Sequence, residues 1–205
     1  TSERDILKLI RSLFLDDLGA EFNAIRHDKK RLGDFHRKLA RLKFLDPACG
    51  CGNFLVISYR ELRRLEMDVL QARFGESLSE GDVRAECRLS VEQFFGIEIE
   101  EWPVRIAEVA LWLMDHMMNA ELFERFSQIK PTVPLTKSPH IRQANALRLD
   151  WNEVLPAGEC SFVLGNPPFV GKHYMVEQQK NDLRALLPTF RTVGDLDDFV
   201  AITRQ

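Results

Sequence analysis

Residues 43–54 read K-F-L-D-P-A-C-G-C-G-N-F, and the order of residue types in this stretch decides the fold. A short apolar run ends on Asp46, Pro47 stops it, Gly50 and Gly52 form a G-x-G turn, and helical spacing of apolar residues begins at Asn53 and holds to about Phe74. A strand, a tight glycine loop and a long helix in that order open a parallel crossover. Gly50 and Gly52 lack a Cβ, so a ligand can approach the loop backbone closely. The dinucleotide fingerprint G-x-G-x-x-G needs a third glycine where Leu55 stands, which reduces NAD binding to a minor reading.

Outward from this stretch the pattern repeats. Val91 to Ile99 (V-E-Q-F-F-G-I-E-I) reads as a second buried strand, His140 to Leu147 as a third and Cys160 to Gly165 as a fourth. Glu100 to Met118 reads as a helix with Pro103 in its first turn, where a missing N–H costs nothing. Upstream, Ser2 and Asp5 resemble a capping box before the amphipathic set Ile6, Leu9, Ile10, Leu13 and Phe14, a helix of about four turns. Asp28 to Arg41, with Leu32, Phe35, Leu39 and Leu42, predicts a second helix. Its basic run Lys29 to Arg31 reads as a solvated face or as a nucleic-acid patch. Gly75 to Arg88 and Ile129 to Pro139 are connections. The expected fold class is α/β, a parallel doubly wound sheet of about four strands that binds ligands at its carboxyl ends. One domain is expected, with a helical segment at 1–42 and a core at 43–205.

Composition narrows the classes. Of 205 residues 45% are apolar, enough for one domain with a sizeable core. No window approaches the roughly 18 consecutive apolar residues of a membrane span, and the charged start is unlike a signal peptide, so the expected location is cytoplasmic with no membrane partner. Cys49, Cys51, Cys87 and Cys160 lack zinc-site spacing and read as free thiols, so no metal is expected. The net charge of -3 gives no global basic field, so a polyanion must meet a local patch or surface supplied from elsewhere.

The chemistry gathers at the strand ends. Glu98 closes strand two where doubly wound folds place a carboxylate for a ribose diol; the alternative is an acid favoured by the following helix N-terminus. Asp46 is its companion beside the glycine loop. Asn145 offers an amide to a purine or simply forms a turn. After strand four, N-P-P-F at Asn166 to Phe169 reads either as a rigid turn or as a built corner.

With these residues in place, D-P-A-C-G-C-G-N-F at 46–54, G-I-E-I at 96–99 and N-P-P-F at 166–169 resemble motifs I, II and IV of S-adenosylmethionine-dependent amino-methyltransferases of DNA, whose core is a Rossmann-like class I methyltransferase fold. The surrounding wording is similar to the MmeI-like branch of single-chain restriction and modification enzymes, in which the methyltransferase domain modifies adenine at N6. The resemblance covers essentially the whole chain. It implies that Thr1, in the tail of motif X, lies near the cofactor's methionine end, with Asp46, Ala48, Gly50 and Gly52 along the methionine moiety. Glu98 holds the ribose hydroxyls, Ile99 lies against the adenine face, and Asn145 with Ala146 lies beside the adenine. In the implied mechanism Asn166 Oδ1 and the Pro167 carbonyl accept the amino hydrogens of an adenine flipped out of double-stranded DNA, Pro168 stiffens the corner and Phe169 stacks on the base. Asn166 thereby borders the cofactor as well.

The chain also departs from the resemblance. Motifs V to VIII, an upstream nuclease and a downstream target-recognition domain are expected in the relatives and are not found here, so the chain reads as part of a longer protein, with Asp195 to Ala201 entering the next helix. Lys172 and His173 contact phosphate or lie in a solvated loop. N-P-P-F also serves guanine N2 in RNA and glutamine amides, and a non-catalytic cofactor-binding remnant is a further alternative.

Overall fold

Three strands begin with a phenylalanine, and their register aligns all three. In the computed structural model, which describes residues 2–75, 86–126 and 138–166 together with 177 and 181, β1 (Phe44–Asp46), β2 (Phe94–Glu98), β3 (His140–Gln143) and β4 (Phe162–Val163) form one parallel sheet in the order β3-β2-β1-β4. Phe44 pairs with Phe94 on one side and Phe162 on the other. Their rings stack at centroid distances of 5.0 and 5.5 Å, and Phe14 from the first helical run closes over Phe44 at 5.2 Å and Phe162 at 5.1 Å. Each such pair contributes about 0.5–1.5 kcal/mol beyond its burial.

Side chains alternate across the sheet, as the pleat requires. Phe44 and Phe94 enter the larger core with the helices, whereas Leu45, Phe95 and Ile97 face a smaller core with Leu155. Among the described residues, the segment 144–160 covers that second face. Strand four is shorter than expected, but Leu164 N still donates to Leu45 O at 2.9 Å, so the parallel alignment continues past the ladder. Strand three stops at Gln143 rather than Leu147 because Asn145 Oδ1 accepts Leu147 N at 2.9 Å and turns the chain. The start expected for strand two is a 3-10 turn, Val91–Gln93, closed by a capping box between Ser90 and Gln93.

The first helical run is longer than its amphipathic set suggested. Ser2 caps α1 (Glu3–Ile10), accepting Asp5 N at 3.3 Å and donating its hydroxyl to Asp5 Oδ2 at 2.6 Å. A π-helical segment, Arg11–Leu15, then leads into α2 (Asp16–Ile25), whose Leu18, Phe22 and Ile25 continue the buried face. Asp28 caps α3 (Lys29–Leu39), and Lys29 to Arg31 lie exposed in its first turn. Helix α4 spans Asn53–Phe74, as its periodicity indicated, and α5 spans Glu101–Arg125, extended beyond Met118 by a segment that buries Leu122 and Phe123. Thr1, Pro167, Pro168, Phe169, Lys172, His173 and the 195–201 segment lie outside the described residues, as do 76–85 and 127–137 within the two connections.

A buried polar knot ties α3, α4 and the approach to β2 together. Glu66 Oε1 accepts His36 Nε2 at 2.8 Å, Arg88 N at 2.7 Å and Leu89 N at 3.0 Å, while Oε2 lies 3.4 Å from Arg63 Nε. Burial pushes the Glu66 carboxyl up, but the bond from His36, the Arg63 guanidinium and the Arg88 N–H outweigh it and hold the group below its ordinary value. Its stabilising contribution is therefore present at neutral pH and disappears as pH falls through that lowered value. Arg63 also reaches Tyr59 at 3.0 Å and Asn119 at 3.0 Å, extending the knot to α5. Replacing Glu66 with alanine removes the acceptor of His36 and of two backbone donors and takes one carboxylate away from buried Arg63, so Glu66→Ala is expected to cost about 3–5 kcal/mol in urea unfolding. A loss under about 1 kcal/mol would mean that the knot does not support the fold.

Candidate functional site at the strand ends

Strand order arranges the candidate residues in space. Chain order runs outward from β1 to β2 to β3, and β4 then adds on the opposite side of β1, which makes the β1/β4 boundary the switch point of the sheet. Read across the carboxyl edge, the strand ends carry Asn145, Glu98, Asp46 and then Asn166. Four residues scattered through the sequence thus share one edge.

Backbone hydrogen bonds connect them. Gly50 N donates to Glu98 Oε2 at 2.9 Å, so the acid of β2 holds the glycine loop of β1. Its other oxygen, Oε1, accepts Glu100 N at 3.0 Å ahead of α5. The two readings of Glu98 are compatible, because a carboxylate oxygen accepts two bonds and each here has a described partner only once. Cys49 N donates to Ile97 O at 3.0 Å and Ala144 N to Glu98 O at 2.8 Å, so the loop and the turn carrying Asn145 are both anchored to the end of β2.

Glycine geometry shapes the loop. Gly52 sits at φ +79°, and a Cβ there would stand 3.0 Å from the Ala107 Cβ of α5, so the loop and helix pack at backbone range. Above Gly50 no described residue lies within 4 Å of where a Cβ would be, so among the described residues that side of the loop is open to a ligand. The sheet edge supplies a second close approach. Gly165 has φ +153°, and a Cβ on it would lie 2.5 Å from Asp46 Oδ1. Only glycine allows the backbone just before Asn166 to rest against the Asp46 carboxyl.

Asp46 is 1% exposed and accepts one described hydrogen bond, from Ala48 N at 3.0 Å. Burial pushes its carboxyl up to about 7; the Ala48 N–H opposes this and the Glu98 charge adds to it. Among the described residues no cation pairs with Asp46 or Glu98. This is an electrostatically incomplete site, two acids gathered at one edge with their field uncompensated. Because the folded state favours the protonated acid, Asp46 subtracts stability as pH rises from the ordinary carboxyl range towards about 7.

The other expected residues occupy varied settings. Ala48 and Gly50 are half-buried in the loop, Ile99 is exposed just past Glu98, and Asn166 is exposed at the end of the fourth strand. Asn145 is spent partly on its own turn, and Ala146 packs against the second-face core while its carbonyl accepts Trp151 Nε1 at 2.9 Å. A cavity of about 680 Å³ does open on that second face, lined by Leu45, Leu147, Trp151, Leu155, Phe162 and Val163, but neither Asp46 nor Glu98 lines it. All four cysteines are free, and no group of three metal-ligating side chains forms among the described residues. No described helix is long and apolar enough to cross a membrane.

Two glycines near the edge are not among the expected site residues. Gly165 carries no sequence signal of its own, because its need for glycine arises only from the long-range approach to Asp46. Gly96, whose Cβ would stand 2.8 Å from Cys49 Sγ, was legible as a glycine inside a strand, the usual mark of a close approach.

Comparison with known proteins agrees with this geometry. Residues 22–203 match the family model described as the MmeI DNA-methyltransferase domain. The chain is 38% identical over 207 residues to DNA methyltransferase A of Bacillus subtilis, a match covering 98% of this chain and 23% of that protein. Among solved structures, the type IIL restriction-modification enzyme MmeI in complex with DNA superposes with a TM-score of 0.93 and 51% identity, over 98% of this chain and 27% of that one. The chain thus spans about a quarter of the length of these relatives. From the strand-end geometry and the family match together, this chain belongs to the MmeI DNA-methyltransferase domain family.

Proposed function

We propose that this chain carries the cofactor and catalytic half of an S-adenosylmethionine-dependent adenine-N6 methyltransferase acting on double-stranded DNA within a restriction-modification protein. The observation that carries the reading is the acid couple Asp46 and Glu98, which no described cation pairs, beside Asn166 at one sheet edge. Two carboxylates that no described cation pairs suit a ligand that brings positive charge. S-adenosylmethionine, when bound, supplies an electrophilic methyl on a sulfonium. The open side of Gly50 admits the ligand, Glu98 has acceptor capacity left for a ribose diol, and Ile99 offers an exposed apolar surface to a purine.

The chain's own residues do the rest by positioning. An adenine amine is a weak nucleophile because its lone pair is delocalised into the ring. Asn166 Oδ1 and the Pro167 carbonyl would accept its two hydrogens and favour pyramidal nitrogen, Pro168 would hold the corner rigid, and Phe169 would stack on the extruded base. Catalysis then rests on holding two reactants in line rather than on a strong base. Thr1 would border the methionine end, and Asn145 with Ala146 the adenine end.

Four outcomes are expected. With the encoded polypeptide at its full length, nucleoside mass spectrometry after reaction with duplex DNA should find N6-methyladenine; methyl groups on guanine N2, or on protein glutamine, would overturn the adenine assignment. Asn166→Ala should lower methyl transfer by on the order of 100-fold or more while calorimetric affinity for S-adenosylmethionine stays within about threefold, as for loss of one preorganised polar contact. Glu98→Ala should instead weaken that affinity by roughly 10–100-fold, the worth of a hydrogen bond to a charged group, and unchanged affinity would end the ribose assignment. The fourth outcome concerns pH. A cationic ligand favours ionised Asp46, so affinity should fall up to about tenfold per pH unit below the Asp46 value of about 7. Asp46→Asn should flatten that profile; an unaltered profile would show that Asp46 does not face the ligand.

A further inference from the structure

Helix α5 carries an apolar stripe that no described element covers. Trp102 is 80% exposed, Ile106 49%, Val109 57%, Leu113 57% and Met117 51%. Their spacing follows one helix face, the opposite pole from Val104, Ala107, Leu111 and Met118, which are buried. The helix is therefore apolar on two sides. From Trp102 to Met117 the stripe runs roughly 22 Å, the length of about four turns of a packing helix. Scattered surface leucines need no explanation, but five large apolar residues in one line mark a contact surface.

The flanking charges argue against nucleic acid as the occupant. Arg105 is engaged by Glu108 at 3.1 Å, and Glu101 precedes them in the same first turns, so the described residues of these turns offer phosphate no cation free of an acid. Length argues for polypeptide of the same chain. Roughly three quarters of the relatives' sequence lies outside the region these residues match, since the matched regions are 23% and 27% of their chains. A tethered segment competes at an effective concentration of roughly millimolar, well above that of a second copy in solution.

We infer that this face of α5 is the seat of an amphipathic helix from the part of the parent polypeptide outside residues 1–205, presenting apolar residues at i, i+4 and i+7. The contact fixes the methyltransferase core to another domain of the same chain. It does not depend on which amine is methylated. Ile99, exposed beside the candidate cofactor edge, lies just before the stripe, so the docked helix starts next to that edge.

The test places p-benzoylphenylalanine at position 109 in the encoded polypeptide at its full length, irradiates it, and maps adducts by peptide mass spectrometry. The expected result is an intramolecular adduct to a helical segment outside residues 1–205. An adduct to a second copy, an adduct confined to residues 1–205, or no protein adduct overturns the inference. The same probe combined with Ile106→Asp and Leu113→Asp should lose at least about ten-fold of the adduct yield, and a retained yield overturns the role of the stripe. Should the double change unfold the protein, the single-probe map still decides.

Discussion

Everything at the carboxyl edge depends on the phenylalanine ladder at the other end of the strands. Phe94, Phe44 and Phe162 stand side by side in register, with Phe14 across them. A slip of one residue in any strand would move its phenylalanine from the helical core to the second face and take a pair of stacked rings apart. The same slip would move a strand end by more than about 3 Å, on the rise of a strand residue. Very short strands could not hold register by hydrogen bonds alone, and β4 has only two ladder residues. The aromatic stack provides what the short ladder lacks.

A second constraint runs against stability. Burial and the neighbouring Glu98 make the Asp46 charge unfavourable in the fold, and no described cation relieves it. The acid of the polar knot differs: Glu66 is equally buried but surrounded by His36, Arg63 and two backbone donors. Glu66 gathers three donors on Oε1 and faces the Arg63 guanidinium with Oε2, whereas Asp46 keeps one described donor, from Ala48 N. In the proposed function that contrast separates a structural acid from an acid that meets a ligand, and it is visible in partners rather than in burial.

Much of the architecture was legible from residues 43–54, because a strand, a glycine loop and a helix have distinct periods and Asp46 stands at their junction. Helix α4 matched its apolar spacing to the residue at its end. Boundaries failed where a side chain overrode propensity: the Asn145 turn cut strand three short, and Ser90 with Gln93 wound the start of strand two into a 3-10 turn. The gathering of Asn145, Glu98, Asp46 and Asn166 at strand ends was implied by the motifs, but the loop anchoring by Glu98 and the contact of Gly165 with Asp46 were not. Both are long-range, set by which strands neighbour each other. The ladder itself was written in plain view as K-F-L, Q-F-F and S-F-V; only register turns three phenylalanines into one stack.

The seam between β1 and β4 has one more implication. Leu164 N bonds to Leu45 O, Ser161 N bonds to Lys43 O, and Gly165 rests on the Asp46 carboxyl, so the fourth strand end is located wholly by the first. In the proposed reaction the methyl donor is placed from the end of β1 and the acceptor amine from the end of β4. Both are therefore measured from a single datum, as two bores are when cut in one setting of the work. Displacements of β1 within the molecule carry donor and acceptor together, and the gap between them is insulated from strains that arise elsewhere in the fold.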